Sequence, residues 1–206
     1  MLGSEHPGNQ NNFSPCNAKG EECVAAALRS DMKFPLMVEQ GYHMGTVSNW
    51  GPTFDVSFDL KINAKSTQST GVFQMIHQKL DNDAQIPFEE GVYKPAVLIK
   101  PNSSSIQVIC NQYWYISEEL PLAEWTNVRM TTTYCSEGNL FFKLFINGAE
   151  VYNYQLPSET SYDFMEVYAG SPMHPAAMAE IDNFSISQPL SLYLITLSNN
   201  VKTNLS

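Results

Sequence analysis

From residue 34 onward, apolar and polar residues alternate with a period of two along much of the chain. In Phe54-Asp-Val-Ser-Phe-Asp-Leu-Lys-Ile, the residues Phe54, Val56, Phe58, Leu60 and Ile62 fall on one face, and Asp55, Ser57, Asp59 and Lys61 on the other. Successive strand side chains point to opposite faces, so this spacing predicts a half-buried antiparallel strand. Gly71–His77, Pro95–Lys100 and Ser105–Cys110 follow, the last two joined by the turn-forming Pro101-Asn-Ser-Ser. Trp125–Tyr134 repeats the alternation with Val128 and Met130 inward. Leu140–Ile146 and Glu150–Tyr154 flank Asn147-Gly148, a pair suited to a tight hairpin because both residues tolerate positive φ. Phe164–Ala169 and Ala179–Ile186 complete about ten short strands separated by turn signals, with almost no helix. The pattern predicts an all-β fold, an antiparallel β-sandwich or jelly roll.

The two ends lack this pattern. Residues 1–33 are rich in Asn, Gly and Ser and read as an irregular lead-in, with one helical turn around Val24–Arg29. The sandwich is expected over 34–188, and 189–206 as a tail that adds an edge strand through Leu190–Ile195.

A chain of 206 residues with this pattern is expected to form one domain with a sizeable core. Its formal charge of −10 argues against nucleic acid or an anionic membrane as partner, since both need a basic face. The longest apolar run, Leu190–Leu197, is too short to span a bilayer and is interrupted by Ser191 and Thr196. Four cysteines allow three disulfide connectivities. Cys16 and Cys23 would close a small local loop, leaving Cys110 to pair with Cys135; the alternative is four reduced thiols. No CxxC spacing favours zinc. Sequons at Asn102 and Asn183 offer candidate glycosylation sites and, with the paired cysteines, point to secretion. Against that, residues 1–30 hold no basic stretch followed by an apolar one.

Two motifs carry a resemblance. Leu122-Ala-Glu-Trp-Thr-Asn-Val-Arg-Met, followed after a turn by Phe142-Lys-Leu-Phe-Ile-Asn-Gly-Ala-Glu-Val, resembles a hairpin of the concanavalin A-like superfamily, to which laminin G and pentraxin jelly rolls belong. Ala179-Glu-Ile-Asp-Asn-Phe-Ser-Ile is similar to the strand that ends many of those domains. The likeness covers roughly residues 50–188. It implies a jelly roll in which Asp182 and Asn183 serve the strand and His174, between Pro172 and Pro175, is a loop-tip residue exposed to water. Relatives in the superfamily include lectins, calcium-binding modules and glucanases.

The candidate chemistry is sparse. Asp55 and Asp59 share a strand face but Ser57 stands between them, so the closely spaced carboxylates of a retaining glycosidase are missing. Asp81 and Asp83, with Glu89 and Glu90 further along, group hard oxygen donors of the kind calcium takes, without the glycine of an EF-hand loop. Tyr113, Trp114 and Tyr115 are the best aromatic platform for a glycan, with Gln74 and His77 as polar contacts. Arg129, Thr131 and Thr133 form an outward polar stripe. The expected function is a non-enzymatic, extracellular recognition module binding a glycan or glycoprotein at a loop rim. The alternatives are a self-associating structural or adhesive matrix protein and a divergent glycan hydrolase.

Overall fold

The alternation in Phe54–Ile62 translates directly into packing: every apolar position is buried and every polar one between them is half-exposed. The computed structural model describes residues 26–28, 31–77, 93–157 and 161–188, with no side-chain detail for 26–28 and 93. Thirteen strands are described: β1 (Ala26–Leu28), β2 (Leu36–Met37), β3 (Tyr42–Trp50), β4 (Phe54–Ile62), β5 (Thr70–Ile76), β6 (Tyr93–Ile99) and β7 (Ser105–Cys110). They continue as β8 (Tyr113–Glu119), β9 (Trp125–Tyr134), β10 (Leu140–Ile146), β11 (Ala149–Gln155), β12 (Tyr162–Ala169) and β13 (Ala179–Ser187). They form a seven-stranded sheet ordered β1-β3-β12-β5-β6-β7-β8 and a six-stranded sheet ordered β11-β10-β9-β4-β13-β2. Every ladder within the sheets is antiparallel.

The sheets meet through one core. Phe73 of β5 lies 5.4 Å from Phe58 of β4 and 5.6 Å from Phe184 of β13, ring centre to ring centre. Such tilted aromatic pairs add to the apolar burial that holds stacked sheets together. Near one end Trp50 stacks on Phe54 at 5.2 Å, and both are buried. The Asn147-Gly148 turn forms between β10 and β11, with φ of 50° and 80° at its two residues. Asn147 also accepts the Asn127 N–H on its side-chain oxygen at 2.9 Å, which ties the turn to β9.

Several sequence expectations change. The helical turn around Val24–Arg29 is replaced over its middle by β1, which pairs with β3. The strands β2, β3 and β8 add to those read from the pattern. The Cys110–Cys135 disulfide is not formed, because the two residues serve different hairpins. Cys110 ends β7 as a buried free thiol, whereas Cys135 follows β9 and closes the turn to β10 through backbone bonds to Gly138 and Asn139. Cys16, Cys23 and the tail 189–206 lie outside the described residues.

The segment between β12 and β13 is sewn onto the start of β5. The Gly71 N–H donates to Pro175 O at 2.8 Å, the Ala177 N–H donates to Gly71 O at 3.1 Å, and the Gly170 N–H donates to Val72 O at 2.6 Å. Only glycine permits this approach at position 71. A methyl group there would lie 2.8 Å from the Ser171 backbone nitrogen and nearer still to its Cβ. Backbone cannot move aside as a flexible side chain can, so Gly71→Ala should lower unfolding free energy by about 1–3 kcal/mol through overpacking. Gly148→Ala, which meets no atom within 4 Å, should cost about 1 kcal/mol from its positive φ alone. Denaturant titration of both variants checks the ordering.

Candidate functional site

Strand alternation sends every second residue of the seven-stranded sheet away from the core. In β12, Met165, Val167 and Ala169 are buried core residues, so Phe164, Glu166 and Tyr168 face the other way. The register then builds a continuous row across this outer face. His43 of β3 opposes Tyr168 of β12, Tyr168 opposes Gln74 of β5, and Gln74 opposes Ala96 of β6. Ala96 opposes Ile109 of β7, and Ile109 opposes Trp114 of β8. Five steps between neighbouring strands give the row a length of about 24 Å.

One end of the row is polar. His43 Nε2 contacts Glu166 Oε2, and Thr46 Oγ1 donates to the same carboxylate oxygen at 3.3 Å. The His43 and Tyr168 rings lie 5.3 Å apart. Burial, and secondarily the Glu166 charge, raise the Tyr168 phenol above its usual pKa of 10, so it stays a neutral hydroxyl that can donate or accept. Next in the row, Gln74 is fully buried, and among the described residues neither its amide nitrogen nor its oxygen has a hydrogen-bond partner. Gln74 and its neighbour Ala96 are both fully buried, so the row meets solvent at its two ends and not at its middle. At the far end Trp114 is 58% exposed. A small residue, Ala96, lies between Gln74 and the Ile109–Trp114 pair. Hydroxyl-binding groups at one end and a flat apolar plate at the other suit an extended polyhydroxylated ligand.

The structure separates the residues that the sequence grouped. Trp114 and Gln74 share the outer face. Tyr113 and Tyr115 instead turn towards the other sheet, where their rings meet Tyr154 at 4.2 Å and Tyr152 at 5.2 Å. Trp114 therefore acts apart from its two neighbours, as strand alternation requires. His77 packs against Tyr162 at 4.5 Å and Phe164 at 5.6 Å, next to the row and not in it. Asp81 and Asp83 lie outside the described residues, among which no group of three or more metal-ligating side chains occurs. Asn102 and Asn183 are both exposed. Asn183 adopts a φ of 49° at a bulge in β13 and donates its amide to Asp59 at 2.7 Å, which gives it a role in the strand.

On the six-stranded sheet, the expected polar stripe is engaged only in part, and Thr133 is exposed. Arg129 binds Asp55 with contacts of 2.5–3.2 Å and lies over the Phe145 ring, while Thr131 is buried. Asp59 accepts from Asn127 at 2.8 Å and from Asn183, so the two strand aspartates are held in separate structural contacts.

His174 also differs from its expectation. It is half-buried, with Nδ1 at 3.1 Å from the hydroxyl of the fully buried Ser171, and that hydroxyl accepts the backbone N–H groups of Met173 and His174. This side-chain-capped turn explains why the segment is ordered. The residues that sequence reasoning missed are His43, Thr46, Glu166 and Tyr168. The alternation of Phe164–Ala169 did carry Glu166 and Tyr168 as its outward members, but nothing in the sequence joined them to His43.

No protein-family model matches the sequence, and no curated protein does. Solved structures match in shape. Trypanosoma rangeli sialidase in complex with sialic acid is 13% identical, with a TM-score of 0.52 over 84% of this chain and 29% of that one. The marine PL7 alginate lyase AlyA1 from Zobellia galactanivorans is 11% identical, with a TM-score of 0.46 over 78% and 85% of the two chains. Carbohydrate-binding module CBM66 from Bacillus subtilis is 10% identical, with a TM-score of 0.42 over 80% and 92%. The likeness to the sialidase is one of fold, an antiparallel β-sandwich. These neighbours comprise enzymes and a binding module, and their likeness to this chain is one of fold.

Burial holds the His174 pKa below its ordinary 6.5. The folded state therefore favours neutral imidazole, and the unfolded chain binds the proton more readily. The stability this contributes is present above about pH 6.5 and is lost as pH falls below it. The drop in melting temperature between pH 7 and pH 5 should be smaller for His174→Asn than for the parent. Equal drops would show that other groups set the acid sensitivity.

Proposed function

We propose that the protein is a secreted recognition module that binds a linear, largely uncharged glycan across the outer face of the seven-stranded sheet. The carrying observation is the cross-strand row from His43 to Trp114, which sets neutral and charged hydroxyl-binding groups in line with an exposed indole. Sugars present hydroxyls along their edges and C–H groups on their faces, and the two exposed ends of this row offer a partner for each. The reading keeps a glycan as ligand and moves the site from the loop rim to the sheet. The Glu166 carboxylate and the net charge of −10 disfavour a polyanionic ligand.

Binding is favoured over glycoside hydrolysis by the neighbours of Glu166. Among the described residues its cross-strand partners are Thr46 and Ile76, neither of them an acid, whereas hydrolysis by the two-carboxylate route pairs two acids about 5–10 Å apart. Assignment to the extracellular space rests on the sequons at Asn102 and Asn183.

The test is a panel of neutral and acidic oligosaccharides, with and without calcium, read by calorimetry. Trp114→Ala should weaken binding of the best ligand by about tenfold, as loss of about 1.4 kcal/mol of ring contact requires. Glu166→Gln should weaken it similarly, and Trp125→Ala, on the opposite sheet, should leave it unchanged. Loss of binding in Trp125→Ala alone would move the site to the other face. New reducing or unsaturated ends would make the protein an enzyme, and large ligand-free species in solution would favour a matrix role.

A further inference from the structure

Exposed apolar side chains are not spread evenly over the surface. Among the described residues six large ones are exposed, and four of them, Met37, Leu122, Trp125 and Met178, gather around the Lys61 end of β4. Cross-strand register explains the gathering. Met37 of β2 opposes Glu180 of β13, Glu180 opposes Lys61 of β4, and Lys61 opposes Trp125 of β9. Leu122 bridges to Ile62, and the Asn63 N–H donates to Met178 O at 2.8 Å, which brings both to the same end of the sheet. Lys61 and Glu180 alternate with buried Leu60, Ile62, Ala179 and Ile181, so this row lies on the outer face of the six-stranded sheet.

Within the row, Lys61 Nζ lies 2.7 Å from Glu180 Oε1 and 4.9 Å from the centre of the Trp125 ring. Trp125 is 43% exposed and Met37 52%. Single apolar residues at a surface need no explanation, whereas a contiguous group of them around polar side chains has the make-up of a protein–protein contact.

The order of the row selects the partner. It runs apolar, acidic, basic, apolar over three strand steps, about 14 Å. A second copy laid face to face, about a two-fold axis parallel to the strands, presents the same row in reverse. Met37 of each copy then meets Trp125 of the other, a favourable sulfur–aromatic contact. Each Glu180 meets a Lys61, so the four charges alternate in sign across the axis. A partner face of uniform charge would instead set one member of the Lys61–Glu180 pair against its own sign. We propose that this patch is the interface of a two-fold dimer of the chain. The assignment is independent of the glycan row, which lies on the other sheet and stays open in such a dimer. The contact is short, and a formal charge of −10 on each copy opposes it, so the dimer belongs to the weak, exchanging class.

Analytical ultracentrifugation of the folded full-length chain tests this at about 0.15 M salt, where the net repulsion is screened beyond about 8 Å. The parent should pass from monomer to dimer between about 1 and 500 µM, as a small interface allows, and form nothing larger. Each contact occurs twice in a two-fold dimer, so Trp125→Ala should weaken association by on the order of a hundredfold, about tenfold per copy. Lys61→Glu and Glu180→Lys, each checked for a parent-like circular dichroism spectrum, should be monomeric alone, because like charges then face one another across the axis. Mixed in equal amounts, the two variants should associate, since an acidic row then meets a basic one. Loss of the internal ion pair cannot produce association on mixing, so this arm separates contact from folding. A parent that stays monomeric at the highest concentration would overturn the proposal. So would a dimer indifferent to Trp125→Ala, or charge variants that fail to associate when mixed.

Discussion

Phe73 reaches across the sandwich to lie between Phe58 and Phe184, and much else follows from that placement. Because strand side chains alternate strictly, an inward Phe73 obliges Gln74 to face outward. The pairing of β5 with β12 then sets Tyr168 beside Gln74, and β12 with β3 sets His43 beside Tyr168. A slip of one residue would put the Gln74 amide into the core and expose the Phe73 ring. The large cost of that exchange is what holds the outer row in register.

The two outer faces are organised differently. On the six-stranded sheet, charges satisfy one another: Lys61 with Glu180, Asp55 with Arg129, Lys143 with Glu150, and Asp59 with two asparagine amides. Each pair lies largely at the surface and adds little stability singly, yet together they leave few groups seeking a partner. On the seven-stranded sheet, the polar groups gather at one end of the row and Gln74 has no partner among the described residues. The asymmetry sets a face whose described charges pair with one another against a face whose polar groups cluster at one end.

How much of this could be read beforehand varies by element. β4 was legible because it is buried on one side only and its polar residues announce the other. The Asn147-Gly148 hairpin was legible because few residue pairs accept its backbone angles. β5 was legible as a strand but not as a surface: all its residues are buried, so its polarity pattern does not report which side faces out. Gln74 was singled out for its chemistry, while its partners depend on cross-strand register that no local pattern contains. β3 escaped because Gly45 and Asn49 have positive φ and interrupt its alternation. The aromatic trio Tyr113, Trp114 and Tyr115 was taken together as one platform, although alternate residues must part company.

The tyrosine seam has a consequence for association. β8 and β11 are seven-residue edge strands on the same flank, joined by Tyr113–Tyr154 and Tyr115–Tyr152 ring contacts. On the opposite flank the described edges are β1 and β2, of three and two residues. Short edges offer little backbone for another chain to pair with. Among the described residues the longer edges thus lie on one flank, a geometry that suits pairing about a two-fold axis more than head-to-tail growth.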